Sequence, residues 1–310
     1  MFLIAFKKAI IRTMKDTTKG ALIVALSSLF FGSYGVWSRL IGSQIDNLFQ
    51  AYARSLIILL LIVPFGFITH SIRKVNKEDW KWILIYTFAG SLTVAPIFYA
   101  YNKIGIGSAT LLFYASFTII SFIVGFISFK EKITLDKTTA LIFSLVGLYL
   151  IFNLSLQQNS LVAALGAIIA GSAAGVEVAF TKKVSNKYSA LQLNIFTWLV
   201  IFVFHLVGSL LIGERQLIPE LTVAWFGVLG YAIASLGAFS LVVIGYRYVQ
   251  PGIGALTGLL EIIFGIIFGI IFFSESLTLQ TVLGGAFIFA AAALSNVVDL
   301  MKTGKKSISA

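Results

Sequence analysis

Cysteine is absent from the 310 residues, and histidine occurs only at His70 and His205. The first absence excludes disulfide frameworks and thiolate metal sites. The second leaves too few imidazoles for a histidine-based metal cluster. Charge is scarce as well: 11% of the residues are charged, 59% are hydrophobic and the mean hydropathy is +0.98. A soluble domain of this length needs far more polar surface to cover its core. A bilayer-embedded chain does not, because lipid solvates apolar side chains. The first residues read poorly as a secretory leader. The stretch 1–19 alternates Phe2, Leu3, Ile4, Phe6, Ile10 and Ile11 with Lys7, Lys8, Arg12 and Lys15. It offers neither a long apolar run behind a charged start nor a small-residue cleavage site. It reads as a basic amphipathic segment lying on the cytoplasmic membrane face.

What the sequence does contain is long apolar runs. They fall at 20–41, 48–69, 81–101, 105–128, 136–154, 160–181, 190–212, 222–245, 252–273 and 278–299. Each is close to the roughly 20 apolar residues that cross a hydrocarbon core. With the N-terminus in the cytoplasm, 19 basic residues fall on inside segments. Only Arg39, Lys103 and Arg215 fall outside, and Arg54 lies within the second run. This bias predicts cytoplasmic N- and C-termini and a multi-pass protein of the inner, cytoplasmic membrane. The net charge of +11 is then a cytoplasmic rim facing the bilayer surface and not a nucleic-acid footprint.

An internal repeat runs through the ten segments. At a shift of 145 residues Trp80 meets Trp225, Tyr86 meets Tyr231, Ala89 meets Ala234 and Tyr101 meets Tyr246. At a shift of 144, Gly125 meets Gly269, Glu131 meets Glu275 and Thr134 meets Thr278. A polar motif recurring at the same helix junction is harder to obtain by chance than an apolar match. Each repeat holds five helices, an odd number, so the second must sit inverted relative to the first. The predicted fold is an all-α membrane protein of ten transmembrane helices in two inverted five-helix repeats. The repeats span 20–154 and 160–299, with a basic tail at 300–310. Inverted repeats characterise secondary transporters, whose substrate sites lie near the midplane between the halves.

Several residues carry a family resemblance: Phe31-Gly32-Ser33 in helix 1, Ala53-Arg54 in helix 2, the Glu131 and Glu275 junctions, and the run from Ala255 through Glu261 to Glu275. Over about 20–299 the chain resembles the EamA-type ten-helix branch of the drug/metabolite transporter superfamily. It departs from that pattern at Ile262, where the family often has Pro, and at Phe117-Thr118, which has neither Glu nor Pro. The resemblance implies a basket of helices 1, 3, 4, 6, 8 and 9 around a central cavity, with helices 5 and 10 peripheral. It also implies transport of amino acids, amines or other small metabolites.

Ionisable residues inside a membrane are costly and mark functional sites. Glu261 lies near the midplane, on a small polar face with Gly254, Thr257, Gly258, Gly265 and Gly269. It is the leading candidate for binding a substrate ammonium or coupling to protons. Tyr114, Thr118, Ser121 and Gly125 share one side of helix 4 and read as a cavity face. Tyr34, Trp37, Tyr99 and Tyr231 offer rings and hydroxyls for organic cations or planar substrates. Arg39 and Glu177 are expected to line opposite mouths. Arg54 and His205 read as structural. Thr134 and Thr278 read as N-caps, with Glu131 and Glu275 satisfying the amides of the following helices.

Together these features predict a secondary transporter of a small-molecule metabolite, an amino acid or related amine, moved by alternating access in the direction of export. No cofactor or metal is called for, and a monomer is favoured. The alternatives are a sugar importer and a non-transporting scaffold. An enzyme would need a nucleophile with its base, a metal cluster or paired carboxylates, and the sequence offers none.

Overall fold

A computed structural model of the protein describes residues 16–152 and 160–306, with the side chains of the last helix described only through Leu294 and at Asn296. The amphipathic segment expected at 1–19 lies outside the described residues except for Asp16–Lys19, which open the first helix. Among the described residues there is no strand. Nine helices are long and apolar enough to cross a membrane: α1 (Asp16–Ile41), α2 (Asn47–Ile68), α3 (Lys77–Ile104), α4 (Ile106–Phe129), α5 (Leu135–Phe152), α6 (Leu161–Ser185), α7 (Ala190–Ile212), α8 (Val223–Gly245) and α9 (Pro251–Phe273). A tenth, α10 (Leu279–Lys306), has its apolar stretch at Leu279–Leu294.

The helices reach beyond the apolar runs that predict them. Helix α6, for instance, continues through Lys182 and Lys183 to Ser185. Hydropathy marks the hydrocarbon-facing part of a helix, whereas backbone hydrogen bonding continues until a cap stops it.

The pattern of helix contacts carries the repeat. α4 packs on α6, and α9 packs on α1. α3 packs on α6, and α8 packs on α1. Each pair becomes its counterpart when helix n is exchanged for helix n+5. α2 pairs with α7 and α5 with α10, pairings that map onto themselves and therefore straddle the pseudo-twofold axis. The correspondence reaches single atoms. A methyl group at Gly32 of α1 would lie 2.8 Å from the Glu261 carbonyl oxygen of α9, and one at Gly175 of α6 would lie 2.7 Å from the Phe117 carbonyl oxygen of α4. Gly32 and Gly175 are repeat equivalents, as are Glu261 and Phe117. Both crossings need glycine because the neighbouring atom is backbone and cannot rotate away. Gly32 and Gly175 are thus spent on packing inside the protein.

The two helix–loop junctions built on Glu131 and Glu275 are also equivalent. Lys130 and Ser274 both take the left-handed conformation, with φ of 53° and 54°. The amides of Glu131 and Glu275 donate to Gly125 O and Gly269 O at 3.1 and 3.3 Å. These are C-terminal helix caps.

Loop contacts sort the connections into two ends. At one end Glu214 accepts from the amides of Leu48 and Phe49, and Arg215 bonds Asp46. At the other, Lys187 and Tyr188 bond Asp79, and the Gln192 side chain bonds the Arg73 backbone.

Three helices are not continuous. α1 tightens at Ser33, α3 at Leu92–Thr93 and α9 at Leu259, where amides of Ser33, Leu92, Thr93 and Ile262 donate to carbonyls three residues back. Their repeat partners α6, α8 and α4 run unbroken. These three inverted pairs therefore have one bent and one straight member each, while α2, α7, α5 and α10 are continuous. Hydropathy gives no sign of the tightenings at Ser33 and Leu259, whereas Pro96, which has no amide to donate to Leu92 O, accounts for the one in α3.

Candidate functional site

The break in α1 places Tyr34 against α8, its ring centroid 4.3 Å from that of Tyr231. The Tyr34 hydroxyl lies beside Ser235. Arg54 of α2 is 7% exposed and sets its guanidinium 4.0 Å from the Tyr231 ring centroid. Its Nε and Nη1 have no hydrogen-bond acceptor. A buried guanidinium stacked on a ring and short of acceptors is a ready receptor for a carboxylate.

The break in α9 places Glu261 on the other side of the same group of rings. Its carboxylate faces the Tyr114 hydroxyl of α4. Tyr101 of α3 interacts with both Tyr231 and Glu261. Glu261 is half-buried, and a side chain at Gly258, one turn earlier, would meet nothing within 4 Å. Open space therefore lies along this face of α9. Six helices thus bring together one cation, one carboxylate and four tyrosines: Arg54, Glu261, Tyr34, Tyr101, Tyr114 and Tyr231. Sequence reasoning read Arg54 as structural and met Tyr101 only in the repeat alignment. The signal for Arg54 was its place seven residues inside an apolar helix, about 10 Å from the helix start.

The structure places the other expected residues elsewhere. Thr257 is 2% exposed, and its hydroxyl donates to Ile253 O and accepts from Asn296 of α10. Thr118 and Ser121 are fully buried, bonding back to carbonyls of their own helix. The helix 4 stripe below Tyr114 is therefore a packing face against α6 and not a cavity wall. The Trp37 indole donates to Ser33 Oγ at 3.0 Å and covers Gly230. Tyr99 is 46% exposed, outside the cluster. His205 bonds Ile201 O through Nδ1 at 2.8 Å, the structural role expected of it.

Arg39 stands at an open end, ion-paired to Glu275 with both side chains about half exposed. Glu177 does not line a mouth. It is 5% exposed and lies against Gly90 of α3. An apolar-to-charged stripe cannot distinguish a residue at a helix mouth from one turned into a neighbouring helix.

The two junction carboxylates also depart from expectation. Thr278 caps α10, accepting from the Thr281 amide at 3.1 Å, but Thr134 Oγ1 has no partner. Glu131 folds back over Gly125 and pairs with Lys137 at 3.5 Å. Burial pushes its carboxyl above the usual range, opposed by Lys137 and Lys182. Lys137 and Lys182 in turn bind the Gln250 side chain and the Val249 carbonyl at the start of α9. The carboxylates reach across to other helices because each αL cap turns the chain back over a glycine.

Among the described residues no group of three or more metal-ligating side chains occurs. An apolar groove between α9 and α10, lined by Ile263, Ile266, Ile270, Leu277, Val282 and Phe289, shares no residue with the tyrosine cluster.

Comparison with known proteins agrees with this architecture. Residues 18–153 and 161–297 each match the EamA-like transporter family. An uncharacterized transporter of Archaeoglobus fulgidus is 24% identical over 280 residues, covering 87% of this chain and 94% of that protein. Another, from Helicobacter pylori strain J99, is 23% identical over 300 residues, covering 93% and 97%. A crystal structure at 14% identity superposes with a TM-score of 0.78 over 91% of this chain and 97% of the other, which shows a shared fold.

Proposed function

The chain belongs to the EamA-like transporter family, and from that premise we propose that it moves a small zwitterion, an amino acid, across the cytoplasmic membrane by alternating access. The observation that carries the reading is the pairing of Arg54 and Glu261 across one tyrosine cluster. A substrate carboxylate would take the free Nε and Nη1 of Arg54. Its ammonium would take Glu261, with the rings of Tyr34 and Tyr231 covering the remainder. Buried opposite charges are retained where a ligand of matching charge completes them. The bent and straight members of the α1/α6 and α4/α9 pairs supply the second element. An exchange of bends within these pairs, with α3 swinging at its proline break, would open the opposite end, and both states would have similar energy because the packing pairs are equivalent. Export is the direction we assign, and the multi-pass chain acts on its small-molecule substrate without a cofactor.

Arg54 gives the test of substrate charge. In proteoliposomes, Arg54→Gln is expected to raise the KM for a transported amino acid about 10-fold or more, since a charged hydrogen bond contributes about 1.5–3 kcal/mol. The amine obtained by removing that amino acid's carboxylate should be handled alike by the variant and the wild type. Clear flux of sugars with none of any amino acid would sink the proposal and favour a sugar carrier.

We also place both termini in the cytoplasm, on the distribution of basic residues. Single cysteines introduced into this cysteine-free chain at Ser43 and Gln216, which lie at one end of the bundle, should react with an impermeant maleimide applied outside intact cells. Cysteines at Asn76 and Asn186, exposed at the other end, should react only after permeabilisation. The reverse pattern would invert the assignment.

A further inference from the structure

The third helix break lies beside a carboxylate that the substrate cluster leaves unused. Glu177 of α6 is 5% exposed, and its Oε1 has no hydrogen-bond partner. Gly90, two residues before the break in α3, receives the carboxylate where any side chain would collide with it. Tyr86 of α3 interacts with Glu177, with Thr197 of α7 beside it. These residues are the repeat equivalents of the substrate cluster's other half. Glu177 corresponds to Tyr34 and Thr197 to Arg54 at a shift of 143, and Tyr86 to Tyr231 and Gly90 to Ser235 at a shift of 145. The two half-sites share one geometry and differ in chemistry. One holds a fixed cation, and the other holds a carboxylate with no cation.

Among the described residues no cation forms an ion pair with Glu177. From α3 it meets Tyr86 and Gly90, and from α7 Thr197. In the apolar clusters around this stretch of α6, α8 contributes Val243, while α4 and α9 contribute Phe117 and Leu256. Lys182 and Lys183, farther along α6, are turned to the Val249 carbonyl and to the rings of Trp82 and Phe129. An ionised carboxylate buried without a cation is far more costly than a neutral acid. In this state the side chain is therefore a carboxylic acid.

We propose that Glu177 is a proton site separate from the substrate pocket, loaded in this state and emptied when α3 swings at its Leu92–Thr93 hinge. The proton is taken from water at one face of the membrane and returned to water at the other, and only the O–H bond of the acid is made and broken. Pro96 has no amide to close the helix onto Leu92 O, so α3 can swing there, which would move Gly90 and Tyr86 relative to α6 and admit water to the carboxylate. The inference rests on the proposed substrate site in one respect: a proton driving transport needs a substrate to drive.

The test uses the full chain in liposomes with a radiolabelled mixture of amino acids as probe, comparing wild type with Glu177→Gln. The amide mimics the protonated acid, so the variant is expected to fold, with a melting temperature at or above that of wild type. Exchange of label at equal pH on both sides should stay within about twofold of wild type. Uphill accumulation driven by an imposed pH gradient should fall at least 10-fold. Gradient-driven accumulation equal to wild type would overturn the proposal, as would accumulation driven by a sodium gradient alone. Should wild type exchange no amino acid at all, the zwitterion reading fails, and infrared spectroscopy of the purified protein decides the proton site by itself. A protonated-acid carbonyl band present in wild type and in Glu261→Gln at neutral pH, and missing from Glu177→Gln, supports it. The absence of that band from wild type overturns it.

Discussion

Glu261→Gln is expected to lower both amino-acid exchange and net transport by about 10- to 100-fold while leaving a folded, membrane-inserted protein. Glu261 stands ten residues into α9, about 15 Å along the helix at 1.5 Å per residue. That is near the middle of a hydrocarbon core about 30 Å thick. It immediately follows the break at Leu259 and faces the Tyr114 hydroxyl. A charge-assisted hydrogen bond to a substrate ammonium contributes about 1.5–3 kcal/mol, and 1.4 kcal/mol is tenfold in affinity. Gln keeps the shape and a hydrogen bond to Tyr114 but not the charge, so folding should survive where binding does not. The contrast with Glu177→Gln is the informative part. Loss of a substrate anchor lowers exchange and net flux together, whereas loss of a proton site spares exchange. Wild-type exchange by Glu261→Gln across pH 5–8, measured in proteoliposomes, would leave Glu261 a packing residue.

Gly171→Val is expected to remove most of the monodisperse protein, or to lower its melting temperature by about 10 °C. The crossing of α4 on α6 is among the most extensive between the described helices, and Gly171 lies at a very close approach within it. A methyl group there would overlap both the Phe113 carbonyl oxygen and Ser116 Oγ. The carbonyl belongs to a helical backbone and cannot turn aside, so the helices must separate. Separation would also loosen the Gly175–Phe117 approach one turn on. Overpacking alone costs about 1–3 kcal/mol, and a backbone collision costs more. At about 2–4 °C per kcal/mol for a chain of 150–250 residues, a loss of 3 kcal/mol is a shift of about 10 °C. Gly285→Ala makes the control, because a methyl group there meets nothing within 4 Å. Size-exclusion chromatography with a thermal ramp reads both variants. A wild-type profile for Gly171→Val would mean that the two helices do not cross here.

The sequence by itself determined the solvent, the number of spans and the inversion. Hydropathy and length decide what lipid will accept, and the parity of a five-helix repeat decides its orientation. Glu261 was legible for the same reason: a carboxylate near the middle of an apolar helix has few inexpensive explanations. The sequence could not rank the remaining polar residues, because a helical stripe names a face without saying which neighbour covers it. Thr118, Thr257 and Ser121 share stripes with Tyr114 and Glu261, yet their hydroxyls are taken up by helix carbonyls and Asn296. Arg54 and Glu177 look alike in sequence, each a lone charge in an apolar run. Tertiary packing separated them. It laid Arg54 on Tyr231, within the tyrosine cluster, and pressed Glu177 into the gap at Gly90. Of the breaks, the one at Leu92–Thr93 is written in the sequence: Pro96 has no amide to donate to Leu92 O, and its repeat equivalent in α8 is Leu241. Those at Ser33 and Leu259 have no proline beside them, so there the packing of each helix against its neighbours decides which member of a pair bends.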